Sequence, residues 1–212
     1  MVAPGREPFI IALAGPNGAG KSTFYELFLE AVPVPFVNAD RIARSLAIRG
    51  AASIDYEAAK IAQSERRRLA AERQSFITET VFSDPAGEKV DFLVAAKRRG
   101  YFVCLVYIGL ESAALSAARV AQRVRAGGHE VPSGKLPSRY KRSLKNLRAA
   151  VRLLDHVRLY DNSSAEGYRL LAVIEQGALL VRAERLPAWA KAAVARAKKP
   201  SDKAVRSRQT AR

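Results

Sequence analysis

Apolar positions along this chain fall into two rhythms. Short unbroken runs alternate with longer stretches in which apolar groups recur at helical spacing. The first run, Phe9-Ile10-Ile11-Ala12-Leu13-Ala14, ends in Gly15-Pro16, as a strand buried on both faces would. The run Thr23-Phe24-Tyr25-Glu26-Leu27-Phe28-Leu29 then predicts a helix. Further strands are predicted around Phe36-Val37, over Phe76-Ile77-Thr78-Glu79-Thr80, over 101–108 (the longest run, expected at the sheet centre), and over 157–160 and 169–174. Glu175-Gln176-Gly177-Ala178 predicts a hairpin turn into Leu179-Leu180-Val181. Helices are predicted over 39–46, 55–72, 87–99 (closed by Gly100), 112–125, 138–154 and from Pro187 past Trp189. Strands alternating with helices give an α/β class: a mainly parallel central sheet covered by helices on both faces, in three layers.

Between the first strand and the first helix lies Gly15-Pro16-Asn17-Gly18-Ala19-Gly20-Lys21-Ser22-Thr23, a complete phosphate-binding loop. Its glycines let successive N–H groups curl toward phosphate oxygens. Lys21 is placed to reach the β- and γ-phosphates, Ser22 to sit on Mg²⁺, and the opening helix aims its positive dipole end at the same point. The pattern implies a P-loop NTPase fold that takes ATP or a similar triphosphate. Because switch GTPases, motors and transfer enzymes share this loop, it does not choose among them.

Composition narrows the setting. With 212 residues, the chain has length for one domain, expected over 1–186, followed by a basic tail over 187–212. No apolar stretch is long enough to span a bilayer, and no signal-like segment precedes the first strand, so a cytoplasmic protein is expected. Cys104 is the single cysteine and, within an apolar run, reads as an inert buried thiol. The net charge is +16. Part of it is in the tail, where nucleic acid or a membrane surface is a conceivable secondary partner, and part runs from Arg119 to Arg152 inside the expected domain.

Three features bear on chemistry. Asp40 follows the second strand at the sheet edge where ligands collect, and reads as a base, a Mg²⁺ partner or a helix N-cap. Glu79 ends the third strand, in the site or just beyond it. Arg119, Arg123 and Arg125 precede the Gly/Pro-rich stretch 127–134, and Arg139 and Arg142 follow it. This is the build of an arginine-bearing lid that neutralises a transferred phosphoryl group.

Taken together, the P-loop, Phe36-Val37-Asn38-Ala39-Asp40, residues 76–83, Arg119-Val120-Ala121-Gln122-Arg123-Val124, residues 127–132 and 139–147, and Tyr160-Asp161-Asn162-Ser163 resemble the zeta toxin family of P-loop kinases over residues 9–163. The resemblance implies transfer of the ATP γ-phosphate to the amino-sugar 3′-hydroxyl of a UDP-N-acetyl sugar. It implies Asp40 as the base, Glu79 fixing the acceptor, Lys21 with Ser22 and Thr23 on phosphates and Mg²⁺, and Arg123 as a lid arginine. His129, Arg139 or Arg142 would supply a second lid charge, and an antitoxin would be a partner. A kinase for another hydroxyl, such as a nucleotide or nucleic-acid end, and a basic surface binder with a regulatory P-loop are the competing readings.

Overall fold

In the computed structural model, residues 7–48, 54–126 and 133–197 are described. Among these residues seven strands form one sheet in the order β2-β3-β1-β4-β5-β6-β7. The strands are β1 (Phe9–Ala14), β2 (Phe36–Val37), β3 (Phe76–Thr80), β4 (Phe102–Gly109), β5 (His156–Asp161), β6 (Arg169–Glu175) and β7 (Ala178–Arg182). The first five run parallel, while β6 and β7 are antiparallel, so the sheet is mainly parallel as the sequence predicts. The β6–β7 turn falls on Gln176-Gly177, both with positive φ (51° and 76°), the conformation that a two-residue hairpin of right-twisted strands requires.

Eight-residue α1 (Lys21–Phe28) follows the P-loop, and α2 (Ala39–Ile48) and α3 (Ile54–Ala71) link β2 to β3. Helix α4 (Glu88–Arg98) precedes β4; α5 (Ala113–Arg125) and α6 (Leu136–Leu153) join β4 to β5, and α7 (Ala188–Val194) follows the hairpin. Side chains alternate across the pleat. Ile10, Ala12 and Ala14 of β1 and Leu105 and Tyr107 of β4 point into one core shared with α3, α4, α6 and α7. Ile11 and Leu13, with Cys104, Val106 and Ile108, point into a second core against Phe24, Tyr25 and Leu29 from the α1 segment. Burial on both faces is why β1 and β4 read as unbroken apolar runs.

The helix ends follow the local chemistry. Ser112 caps α5 by accepting from the Leu115 N–H at 3.1 Å. Gly100 follows α4 in the left-handed conformation (φ 80°), where glycine carries no Cβ penalty. Helix α6 starts two residues earlier than its pattern suggests, with Pro137 in the first turn, where a missing N–H costs nothing.

One boundary differs from expectation. The division before Pro187 separates Leu186 from Trp189, yet both are buried in the same core, together with Ala190, Ala193 and Val194 of α7. The Trp189 ring takes the space a side chain at position 109 would fill: a Cβ on Gly109 would meet its Cζ2 at 2.2 Å. The packed unit therefore runs through α7, and the rest of the basic tail, from residue 198, lies outside the described residues.

Candidate active site

Strand β1 stops at Ala14, paired on one side with Thr80 of β3 and on the other with Tyr107 of β4. The P-loop thus leaves the sheet between the carboxyl ends of β3 and β4, where a parallel sheet collects ligands. Gly15 is required at the exit, since at φ 148° a Cβ would lie 2.1 Å from the Ile108 carbonyl oxygen.

The loop is held from outside through its carbonyls. Ser116 Oγ donates to the Asn17 carbonyl at 2.7 Å, Asn162 Nδ2 to Ala19 at 3.0 Å, Tyr168 Oη to Gly20 at 2.6 Å, and Lys21 Nζ to Pro16 at 3.1 Å. Arg119 locks the supporting segment by donating to the Asn162 carbonyl at 2.6 Å. The N–H groups of Gly18 and Gly20 have no acceptor among the described residues. Together with the uncapped start of α1, they make a donor cradle for an anion.

Around Lys21 the sequence-predicted residues converge. Lys21 is buried, 6% exposed, with Nζ 3.9 Å from Glu79 Oε1. Glu79 accepts from Ser22 Oγ at 3.0 Å and from Asn38 Nδ2 at 2.7 Å. Burial pushes the Glu79 carboxyl above the usual range against the pull of Lys21. It pushes the Lys21 ammonium down, with Glu79 and Asp40 opposing and Arg123 reinforcing the shift. Asp40 and Arg123 therefore both act electrostatically at Lys21.

Asn38 settles which residue caps α2. Its Oδ1 accepts from the N–H groups of Asp40 (2.7 Å) and Arg41 (3.1 Å), so the Asp40 carboxylate is not spent on the helix start. The same side chain holds Glu79, tying the ends of β2 and β3 together.

Other predicted residues lie elsewhere. Thr23 is exposed and its side chain hydrogen-bonds the Tyr168 hydroxyl. Arg139 acts on Lys89 of α4, and Arg142 Nε donates to the Ser83 carbonyl at 2.8 Å, so both attend the β3–α4 connection. His129 and the rest of residues 127–132, most of the predicted 127–134 loop, lie outside the described residues. Cys104 is buried and its thiol pushed up to about 11 by burial, as an inert core thiol should be.

Sequence reasoning gave no role to Asn38, Ser116, Asn162 or Tyr168. Only Asn38 carried a local signal: an asparagine immediately before a helical pattern is as strong a cap as aspartate. The other three act across 99, 143 and 148 residues of chain, where no local pattern reaches.

This fold and loop define an α/β P-loop NTPase. The AAA domain family matches residues 10–147, and the chain belongs to it. A protein of Haemophilus influenzae described only as uncharacterized is 28% identical over 130 residues, covering 61% of this chain and 91% of its own. Among solved structures, the AvrRxo1-ORF1:AvrRxo1-ORF2 complex with sulphate ions superposes at a TM-score of 0.69, with 16% identity over 97% of this chain and 72% of that one. The same pair with ATP gives 0.59, with 17% identity over 93% and 67%. The PezAT chromosomal toxin-antitoxin system of Streptococcus pneumoniae gives 0.54, with 16% identity over 75% and 70%.

Proposed function

We propose that this protein is an ATP-dependent phosphotransferase acting on a hydroxyl group, with the 3′-hydroxyl of a UDP-N-acetyl sugar as acceptor. The observation that carries the reading is the convergence of Lys21, Ser22, Glu79 and Asp40 at the carboxyl ends of three neighbouring strands, Asp40 being released from capping by Asn38. Likeness to a complex holding ATP and to a toxin-antitoxin system supports the donor and an antitoxin partner.

In this reading the acceptor oxygen forms a bond to the γ-phosphorus while the bond from that phosphorus to the β–γ bridging oxygen breaks, releasing ADP. Asp40 takes the hydroxyl proton. Lys21 and the P-loop N–H groups hold the β- and γ-phosphates in line, and Arg123 neutralises charge on the transferring group. Arg139 belongs to the acceptor side.

The residues present fit a magnesium ion. Ser22 Oγ and the Glu79 carboxylate, 3.0 Å apart and beside the phosphate-binding lysine, are hard oxygen donors of the type Mg²⁺ takes alongside phosphates and water. No group of three or more His, Cys, Asp or Glu side chains is placed to hold a metal among the described residues, and such a site needs none, since substrate oxygens complete it. When bound, the ion supplies charge neutralisation on the β- and γ-oxygens.

Among the described residues, no helix is long and apolar enough to cross a membrane. We assign the kinase domain to the whole packed unit including α7, and a cytoplasmic setting follows from its ATP donor. The deciding experiment is transfer of γ-labelled phosphate from Mg·ATP to UDP-N-acetylglucosamine by wild type and Asp40→Asn. Product from wild type alone upholds donor, acceptor and base together. Absence of product from both, with ATP binding intact, retires the UDP-sugar acceptor.

A further inference from the structure

Helix α6 carries six cations and no acid. Four of them, Lys141, Lys145, Arg148 and Arg152, are exposed, and steps of four, three and four residues stack them in one row. The opposite side of the helix, with Tyr140, Leu147, Ala150 and Val151, is buried. Helix α3, also of 18 residues, treats its surface charge differently: Arg68 sits between Glu65 and Glu72 at the same spacings, 2.7 Å from each. Among the described residues, none of the four α6 side chains makes a hydrogen bond or an ion pair.

The fold gives this row no task. Like charges three and four residues apart weaken a helix. The helix dipole favours a cation only in the last turn, where Arg152 stands. Helix α7 packs against α6 and adds the exposed Lys191, with Arg196 just past its end. On the flanking elements, Glu88 and Asp91 in the first turn of α4 and Glu184 ahead of α7 carry the opposite sign, and none comes within 4.0 Å of the row.

The chemistry of this face selects its partner. The row covers roughly 16 Å of helix axis, a length over which one strand of a DNA duplex places about five phosphates. A helix lying in a membrane surface needs apolar side chains beside its cations, and the only large apolar side chain that α6 exposes is Leu153. Single strands are held by stacking on exposed aromatic rings, whereas Tyr140, the one ring of α6, is buried. A convex helix face suits the wide major groove of B-form DNA, which admits an α-helix, and not the deep, narrow groove of an RNA duplex.

We propose that the outer face of α6 docks the phosphate backbone of double-stranded DNA without reading its sequence, a function separate from phosphoryl transfer. None of the four residues belongs to the P-loop site, so this inference does not rest on the kinase reading.

The test is the fluorescence anisotropy of a labelled DNA duplex of arbitrary sequence, titrated with the full chain across a range of salt and without nucleotide. Lys141→Gln, Lys145→Gln, Arg148→Gln and Arg152→Gln are combined in one variant, since glutamine matches lysine and arginine in helix propensity, and the melting curve checks its fold. The variant should lower the slope of log affinity against log salt by about 3–4 and weaken binding about a hundredfold. A control variant combining Arg44→Gln, Lys60→Gln and Arg67→Gln, exposed residues of α2 and α3, should keep the wild-type slope. An unchanged slope in the α6 variant would assign binding to the basic tail and overturn the proposal, as would an equal loss in the control. No binding by wild type at low salt overturns it too, and so does a preference for single strands, for an RNA duplex or for vesicles containing phosphatidylserine. Phosphate transfer from ATP should be equal in wild type and the α6 variant. Absence of transfer in both retires the kinase reading and leaves the docking face standing.

Discussion

At the donor end of the cleft, the carbonyls of Pro16, Asn17, Ala19 and Gly20 all accept side-chain hydrogen bonds, and Lys21, Ser22, Asn38 and Glu79 form a closed, buried network. On the side of β2, the Asp40 carboxylate is exposed and is left free of the start of α2, which Asn38 caps. The first region is finished as it stands and needs only an anion in its cradle. The second leaves a carboxylate open to whatever enters beside it. The contrast fits a protein whose donor is invariant and whose specificity is set by what enters from the other side.

That contrast can be broken at the donor end first. Lys21→Ala should cut phosphoryl transfer by about a thousandfold or more and abolish the rise in melting temperature on adding Mg·ATP. Asp40→Asn should lower kcat by about a thousandfold while leaving ATP affinity unchanged, the mark of a group that acts on the acceptor proton alone. Equal loss of ATP binding in that variant would move Asp40 to the donor side. Arg123→Ala should cost about a hundredfold in kcat with little change in KM for ATP. Trp189→Ala sharpens the comparison from outside the cleft. It should destabilise the fold by about 3–5 kcal/mol in denaturant unfolding, because the ring is 5% exposed and nothing replaces it beside Gly109. A chain cut before Pro187 should lose the same packing, so tail function is tested by cutting after residue 197.

The smallest effect is on pH dependence. Burial raises the Glu79 carboxyl in the fold, so its contribution to stability is present below the ordinary carboxylate range and is lost as pH rises through the raised value. The melting temperature of the nucleotide-free protein should drift down across that mildly acidic window. Bound Mg·ATP, which favours the ionised carboxylate, should remove the drift, and so should Glu79→Gln. A drift unchanged in Glu79→Gln would assign it to another group.

Much of this was legible because it is local. An apolar run ending in Gly15-Pro16, Gln176-Gly177 between two apolar stretches, and Gly100 after a helical pattern each carry their geometry within a few residues. The strand order was not legible, since pairing of β1 with β3 and β4 is fixed by packing at both faces. The cap of α2 was not legible: the N-cap stood as one of three readings of Asp40, aspartate and asparagine are equally good caps, and only the fold shows that Asn38 does the capping. Arg139 and Arg142 read as lid arginines because they follow the Gly/Pro-rich stretch 127–134, while the partner of Arg142, the Ser83 carbonyl, lies 59 residues away, beyond any local pattern. The boundary at Pro187 followed a change in composition, whereas the alanines and tryptophan of α7 are small and large pieces of one packed surface.

Trp189 is the sole tryptophan of the chain, and its indole Nε1 is buried without a hydrogen-bond partner among the described residues. Its ring touches Gly109, whose carbonyl accepts from the Asn162 N–H at 3.1 Å, and Asn162 holds the Ala19 carbonyl of the P-loop. The molecule thus carries a native fluorophore in dry surroundings, three contacts from the triphosphate cradle. Its emission offers an unlabelled optical record of nucleotide arrival, in a protein with no second indole to confuse the signal.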